Sequence, residues 1–334
     1  MKKFLFFAAA ASVALVSCVN DETMEMAPVA KKVSFDTPVM NTQTRATNFG
    51  EIKTTYPTNE NFVVYAVRHD GNFTTWTAGT AFMTNVEVTY NSAKNGWGNS
   101  TTDYYWPEDG DKLTFGAFSP TDVASAASYT DKGLQLSAFT VPATLATQYD
   151  LMYSDLATNK TANETYGGYT GVPINFNHAL SSVEFKIAKS SELKETATLT
   201  KIEVVGLANT GAFDQNIGGT AQWTGTSGSE TYDVFTGSQE FTTAETRAHN
   251  GGADMLLLPQ TLTDAAIVNI TYTLNGQSYT RPVALNELKD ASSNVVSTWV
   301  MGTRYVYTIS LNADVIYFAP RPADWAQTDI TIAL

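Results

Sequence analysis

Three histidines, one cysteine and a few clustered carboxylates are the residues whose types invite a chemical reading. Catalysis needs a base near a nucleophile, and His69, His178 and His249 have no obvious companion in the sequence. A Gly-x-Ser-x-Gly elbow, a phosphate-cradling glycine loop with lysine and a His-Glu-x-x-His metal motif are all missing. His178 sits beside two apolar runs, where a hydrogen-bonded structural histidine is the expected reading. Glu108-Asp109-Gly110-Asp111 offers oxygens to calcium but lacks the alternation of an EF-hand loop, so a tight turn is expected there. Tyr104-Tyr105-Trp106 and Trp223 have rings that stack on sugars, yet aromatics in β-rich chains more often fill cores, and packing is expected. These residues predict no enzyme, no catalytic or metal-binding side chain and no cofactor.

Cys18 is the only cysteine, so the chain has no disulfide. It follows Lys2, Lys3 and the apolar run Phe4 to Val16, which is a secretion signal. The run is too short to cross about 30 Å of hydrocarbon, which takes roughly 20 apolar residues. Leu15-Val16-Ser17-Cys18 resembles the lipobox of bacterial lipoproteins, which implies cleavage before Cys18 and a diacylglycerol on its thiol. An exported chain without disulfides must be stabilised by burial.

The chain has 334 residues, more than one hydrophobic core usually organises, so two domains are expected. Charged residues make up 16%, against an average of about 25%, while Thr, Tyr, Phe and Val recur as strands favour. Net charge is −13, and it becomes −15 once Lys2 and Lys3 leave with the signal. The 20 basic residues are scattered among 33 acidic ones, which excludes the basic stripe that nucleic acid requires. The acidic balance suits an exposed, soluble protein.

Short alternating runs separated by turn signals position these residues: Phe62 to Val67, Val86 to Tyr90, Leu113 to Phe118 and Leu151 to Tyr153. A second series covers Lys201 to Leu207, Asp254 to Leu258, Ile267 to Leu274, Tyr279 to Leu285 and Arg304 to Leu311. This spacing predicts an all-β sandwich architecture. Between the series, Val172 to Ala188 reads as two strands joined near His178, and the domain boundary is placed there, giving 46–177 and 178–334. Asn275-Gly276 predicts a type I′ hairpin turn. Tyr305, Tyr307, Ile309 and Leu311 should line one buried face. Leu285 to Asp290 and Ser190 to Thr196 are expected as brief helices. Val33-Ser34-Phe35 is a weak strand in an otherwise polar, proline-broken segment.

Three segments together resemble the fimbrillin family of lipoprotein pilins from Gram-negative anaerobes. They are Tyr104 to Pro120, Phe176 to Ile187, and Leu256-Leu257-Leu258-Pro259-Gln260 taken with Trp299, Gly302 and Tyr305 to Ile309. The resemblance implies two tandem transthyretin-like (Greek-key) β-sandwich domains, lipoprotein export to the outer membrane, and assembly with further pilin subunits plus anchor and tip subunits. It also implies removal of a leader by an arginine-specific protease, opening a groove that a neighbour's strand fills. The membrane would be met only through the lipid on Cys18.

Arg45 is the first arginine and lies in polar sequence of the kind open to proteases, so the resemblance puts the leader at 19–45 and the new N-terminus at Ala46. Local sequence alone leaves a merely solvated arginine open. The C-terminal segment, about 314–334, contains two short strands, one with Val315 and Tyr317 and one with Ile330, Ile332 and Leu334 on a single side. Such a strand can add to an open sheet edge. An ordinary last strand of its own domain is the alternative. Other readings are an anchor or tip subunit of the same pilus, and a surface carbohydrate-binding lipoprotein that keeps its lipid.

Overall fold

The computed structural model describes residues 31–36, 39–40, 55–99, 101–162, 171–252, 254–290, 292–312, 316–322 and 329–333, with backbone only for 39–40, 252, 316–322 and 329–333. The described residues are almost entirely β-strand, joined by turns and short 3-10 segments, with no α-helix among them. The first expected helix is a single 3-10 turn, Leu285–Glu287, followed by a strand at Lys289–Asp290. The second, 190–196, is a turn segment that leads into the strand Ala197–Leu207.

The N-terminal sheet runs in the order Val39–Met40, Asn175–His178, Met152–Ser154, Lys112–Ser119, Phe62–His69, Thr80–Asn91, Gly96–Asn99. Its central strands are buried on both faces, and the two-residue period divides their side chains between two cores. Phe62, Val64, Ala66, Leu113, Phe115 and Ala117 point into one core with Val33 and Phe35. Val63 and Phe118 point the other way, into a core that they share with Leu134, Leu136, Leu180, Val183 and Phe185.

The C-terminal half contains a four-stranded sheet ordered Glu230–Glu240, Ala197–Leu207, Ile267–Leu274, Gln277–Ala284, and a seven-stranded sheet built on Ser181–Lys189 and Arg304–Leu311. Those last two strands pair in parallel, Val183 opposite Tyr305 and Ile187 opposite Ile309. Tyr305, Tyr307, Ile309 and Leu311 are buried as the alternation predicts, but Val306 and Thr308 between them are buried too, so both faces of this strand are covered rather than one. The hairpin at Asn275-Gly276 has both residues at positive φ, 51° and 78°, and pairs Leu274 with Gln277.

Sheet membership changes between Asn175–His178 and Ser181–Lys189. One further sheet draws on both sides of that point, in the order Gln222–Ser227, Thr210–Asp214, Gly133–Thr140, Ala127–Thr130. Its seam pairs Phe213 with Leu136 and Gly211 with Phe139.

Candidate functional site

The residues that could do chemistry are each engaged in structure. His178 Nδ1 lies 2.5 Å from Asp150 Oδ2, both side chains buried; burial pushes the Asp150 carboxyl up, and His178 opposes that shift. His249 Nε2 accepts a hydrogen bond from Phe185 N at 2.7 Å, and His69 Nε2 meets Thr114 Oγ1 at 2.9 Å. Asp109 and Asp111 flank Gly110, at φ 91°, and both carboxylates pair with Arg68. Among the described residues no group of three or more His, Cys, Asp or Glu is placed to hold a metal. Trp106 is buried and Trp223 donates to Ala179 O, whereas Tyr105 is exposed.

The segment 31–36 makes the most informative arrangement, an extended stretch tied by isolated β-bridges into the N-terminal half. Alternation places Val33 and Phe35 inside, each 3% exposed, and leaves Lys32 outside. Its backbone is hydrogen-bonded on both sides. Val33 N donates to Tyr104 O at 2.8 Å, Phe35 N to Trp97 O at 3.1 Å and Asp36 N to Val172 O at 3.1 Å. Trp106 N donates to Lys31 O at 2.9 Å, and Val172 N to Ser34 O at 2.9 Å. The bridge at Trp97 is antiparallel and the one at Val172 parallel.

Phe35 meets Phe62 and Phe115 edge-on, with ring centroids 6.1 and 5.8 Å apart. Tyr56, Trp97 and Phe176 continue this aromatic floor around Phe62. Gly171 borders the slot where a Cβ would fall 2.6 Å from Phe35 C and 2.7 Å from Ser34 O, so the strand passes only because that side chain is missing. Beside the strand lies a cleft of about 450 Å³ rimmed by Lys32, Asn99 and Asp103. Trp97 Nε1, next to Phe35, is buried with no hydrogen-bond partner among the described residues. Lys32 and Asp103 pair across the rim at half-exposed positions, which stabilises by about 0–1 kcal/mol. The apolar contacts hold the strand more firmly, at roughly 1.5–3 kcal/mol for each buried side chain.

Without 31–36, three carbonyls and two N–H groups would lose their partners, and the floor around Phe62 and Phe115 would open. A slot of this kind binds an extended chain: backbone bonds give affinity and alternating pockets give register.

Cys18, Arg45, Ala46, Val315 and Leu334 lie outside the described residues. Tyr317 lies on the strand Ile316–Pro322, antiparallel to Arg304–Leu311 with Tyr317 opposite Ser310. Ile330 and Ile332 lie on Asp329–Ala333, opposite Pro320 and Phe318. Within this chain, therefore, the two C-terminal strands extend its own seven-stranded sheet.

Sequence reasoning missed a buried ionic cluster on that sheet. Arg304 Nε lies 2.7 Å from Asp254 and its Nη2 2.8 Å from Glu184, while Arg247 approaches both carboxylates and Ser182 Oγ donates to Asp254 at 2.9 Å. Burial raises Glu184; it also works against the Asp254 carboxylate, but Arg304 and Arg247 outweigh it and hold Asp254 low. The available signal was charge inside apolar runs, Glu184 in Ser-Val-Glu-Phe and Asp254 before Met-Leu-Leu-Leu.

A comparison with curated protein sequences gives no significant match. Among solved structures, a fimbrial protein from Bacteroides vulgatus is 17% identical, covers 89% of this chain and 100% of its own, and superposes with a TM-score of 0.59. A candidate cell adhesion protein from Bacteroides uniformis is 18% identical over 89% of this chain and 98% of its own, with a TM-score of 0.53. One from Bacteroides ovatus is 16% identical over 90% and 98%, with a TM-score of 0.54. These likenesses are of fold. The sequence model described as fimbrillin-like matches residues 44–325, and the chain belongs to that family.

Proposed function

We propose that this chain is a repeating subunit of a cell-surface fimbria, exported as an outer-membrane lipoprotein through Cys18, matured by cleavage after Arg45 and joined to its neighbours by strand exchange. Membership of the fimbrillin-like family supports the pilus role and the surface location. The single observation that carries the exchange reading is the extended segment 31–36, which belongs to the leader in sequence yet is held in the body by β-bridges and backbone bonds on both sides.

In this reading the leader is a placeholder. Cleavage after Arg45 frees it, Ala46 becomes the N-terminus, and an incoming strand takes its slot. The C-terminal strand suits the slot in pattern: Ile330-Thr331-Ile332 repeats the apolar, hydroxyl, apolar order of Val33-Ser34-Phe35. The strand with Val315 and Tyr317 and the end at Leu334 would accompany it. The body would then consist of two β-sandwich halves, 46–177 and 178–334, that share one sheet and part of their core, with anchor and tip subunits closing the filament's ends.

The test is direct sequencing of filaments purified from the cell surface. Material beginning at Ala46, together with short or missing filaments from an Arg45→Ala strain, is the expected result. Filaments of normal length that retain residues 31–36 would refute the exchange reading. Cys18→Ala is expected to abolish fatty-acid labelling of the precursor, and label in that variant would contradict the lipoprotein assignment.

A further inference from the structure

The cleft of about 450 Å³ beside segment 31–36 is walled by hydrogen-bond donors that the protein does not use. We propose that it binds the oxyanion of a small acidic ligand, a carboxylate or phosphate ester on a sugar-sized body, and that the site is complete only while segment 31–36 is in place. The inference goes beyond the pilus reading and holds whether or not the segment is later exchanged.

One wall is the hairpin between the strands Thr80–Asn91 and Gly96–Asn99, which pairs Tyr90 with Trp97 and Asn91 with Gly96. Asn95 supplies a positive φ of 47° in its turn, and the N–H groups of Lys94 and Asn95 are tied back to Asn91 O and Ser92 O. The side-chain oxygens of the turn are taken up in holding this shape: Asn91 Oδ1 accepts from Lys94 N at 3.1 Å, and Asn95 Oδ1 from Tyr90 Oη at 2.6 Å. Asn91 Nδ2, Asn95 Nδ2 and Lys94 Nζ have no hydrogen-bond partner among the described residues, and all three side chains line the cleft.

Trp97 also lines it, 2% exposed and held by Tyr90, whose ring centroid is 5.4 Å away. Its Nε1 is a buried donor without an acceptor among the described residues. Such a group is costly to leave unpaired, so a site that contains one favours an acceptor brought from outside.

The unused groups are therefore two amides, an ammonium and an indole N–H. They are donors only, which matches the acceptor-only oxygens of a carboxylate or phosphate better than the mixed hydroxyls of a neutral sugar. Charge agrees with this. The whole chain carries −13, yet the ionic side chains lining the cleft are Lys32, Lys94 and Asp103, two cations against one anion. Lys32 pairs with Asp103 and so neutralises the one carboxylate that would repel the ligand. Because Lys32 belongs to segment 31–36, occupancy is linked in both directions: the segment strengthens oxyanion binding, and a bound oxyanion holds the segment more firmly. The volume lies within the roughly 300–1,000 Å³ of pockets that take small molecules.

The experiment titrates the native full chain, carrying nitrogen-labelled tryptophan, with glucuronate, glucose-6-phosphate and glucose, and follows the indole N–H signal of Trp97 after through-bond assignment. At least one acid is expected to move that signal saturably while glucose leaves it in place, and the acid that does so identifies the source as an acidic sugar or a phosphate ester. Calorimetry supplies the dissociation constants. Lys94→Ala should raise them about fivefold or more, and Lys32→Ala, which leaves Asp103 unpaired without touching the hairpin, by a smaller factor. Both lysines are exposed, so an unaltered melting temperature is expected to accompany each loss. Absence of binding by both acids, equal binding of glucose, an acid that binds without moving the Trp97 signal, or an unchanged constant in Lys94→Ala would each overturn the site. An unchanged constant in Lys32→Ala would overturn the part played by segment 31–36.

Discussion

Phe35 belongs to a segment that reads as polar leader, yet it is buried against Phe62 and Phe115 like any core residue. Phe35→Ala in the precursor should therefore cost about 3–5 kcal/mol, measured by denaturant unfolding, whereas protein beginning at Ala46 cannot register it. An unchanged midpoint in the precursor would remove the leader from the core. Asp254 supports a second prediction. Its folded pKa lies below the ordinary value of 3.8, so its contribution is present above that value and is lost as pH falls through the lower, folded pKa. Asp254→Ala leaves Arg304 and Arg247 short of a buried partner and should cost about 3–5 kcal/mol at neutral pH. The difference from the parent should shrink only below pH 3.8, and a deficit that is the same at pH 3 and pH 7 would show that the charge is not what stabilises.

At the scale of elements, the C-terminal strand is the one whose attachment matters. It pairs with Ile316–Pro322 and, for two residues, with Lys289–Asp290. Pro320 and Pro322 on the neighbouring strand carry no N–H, which weakens the ladders on both of its sides. Deleting Ile330 to Leu334 should thus leave a folded monomer with a small change in melting temperature, and should abolish filaments. Three aliphatic side chains buried in its own core would instead contribute roughly 1.5–3 kcal/mol each, so a large drop in melting temperature, or undiminished filaments, would defeat the donor assignment. The strands at Ile267–Leu274 and Arg304–Leu311 were legible because one period-2 run between turn signals is all they require. The alternation of Val33-Ser34-Phe35 was legible, though the structure makes it an extended, bridged segment rather than a full strand, and its place in the slot was not, since its partners Trp97, Tyr104 and Val172 are set by tertiary contacts. The sheet joining Gly133–Thr140 to Thr210–Asp214 was missed for the same reason: Phe213 finds Leu136 across some 75 residues of intervening chain.

That shared sheet bears on whether the two halves of the molecule can stand alone. Gln215, from the C-terminal half, is buried, accepts from Leu134 N at 2.9 Å and donates to Ser154 O at 2.8 Å. Trp223 packs on Phe139 and donates to Ala179 O at 2.7 Å. Val63, Phe118, Leu134, Leu136, Phe139 and Leu151 all face a core completed by C-terminal residues such as Leu180, Phe185 and Phe213. Exposing those six side chains would forfeit up to roughly 9–18 kcal/mol, comparable to or larger than a whole domain's typical margin of about 5–15 kcal/mol. The fragment 19–177, although it keeps the leader strand and its slot, should therefore fail to fold, and should bind a hydrophobic dye or aggregate. The precursor 19–334 should melt in one cooperative calorimetric transition, because the seam passes through both halves and each would lose a shared part of its buried surface without the other. Two separate transitions, or a fragment 19–177 with dispersed amide resonances and a sharp melt of its own, would mean that the seam is a contact between independent domains. A cooperative precursor would mean instead that the two cores, joined through the sheet whose strands face both, unfold as one unit.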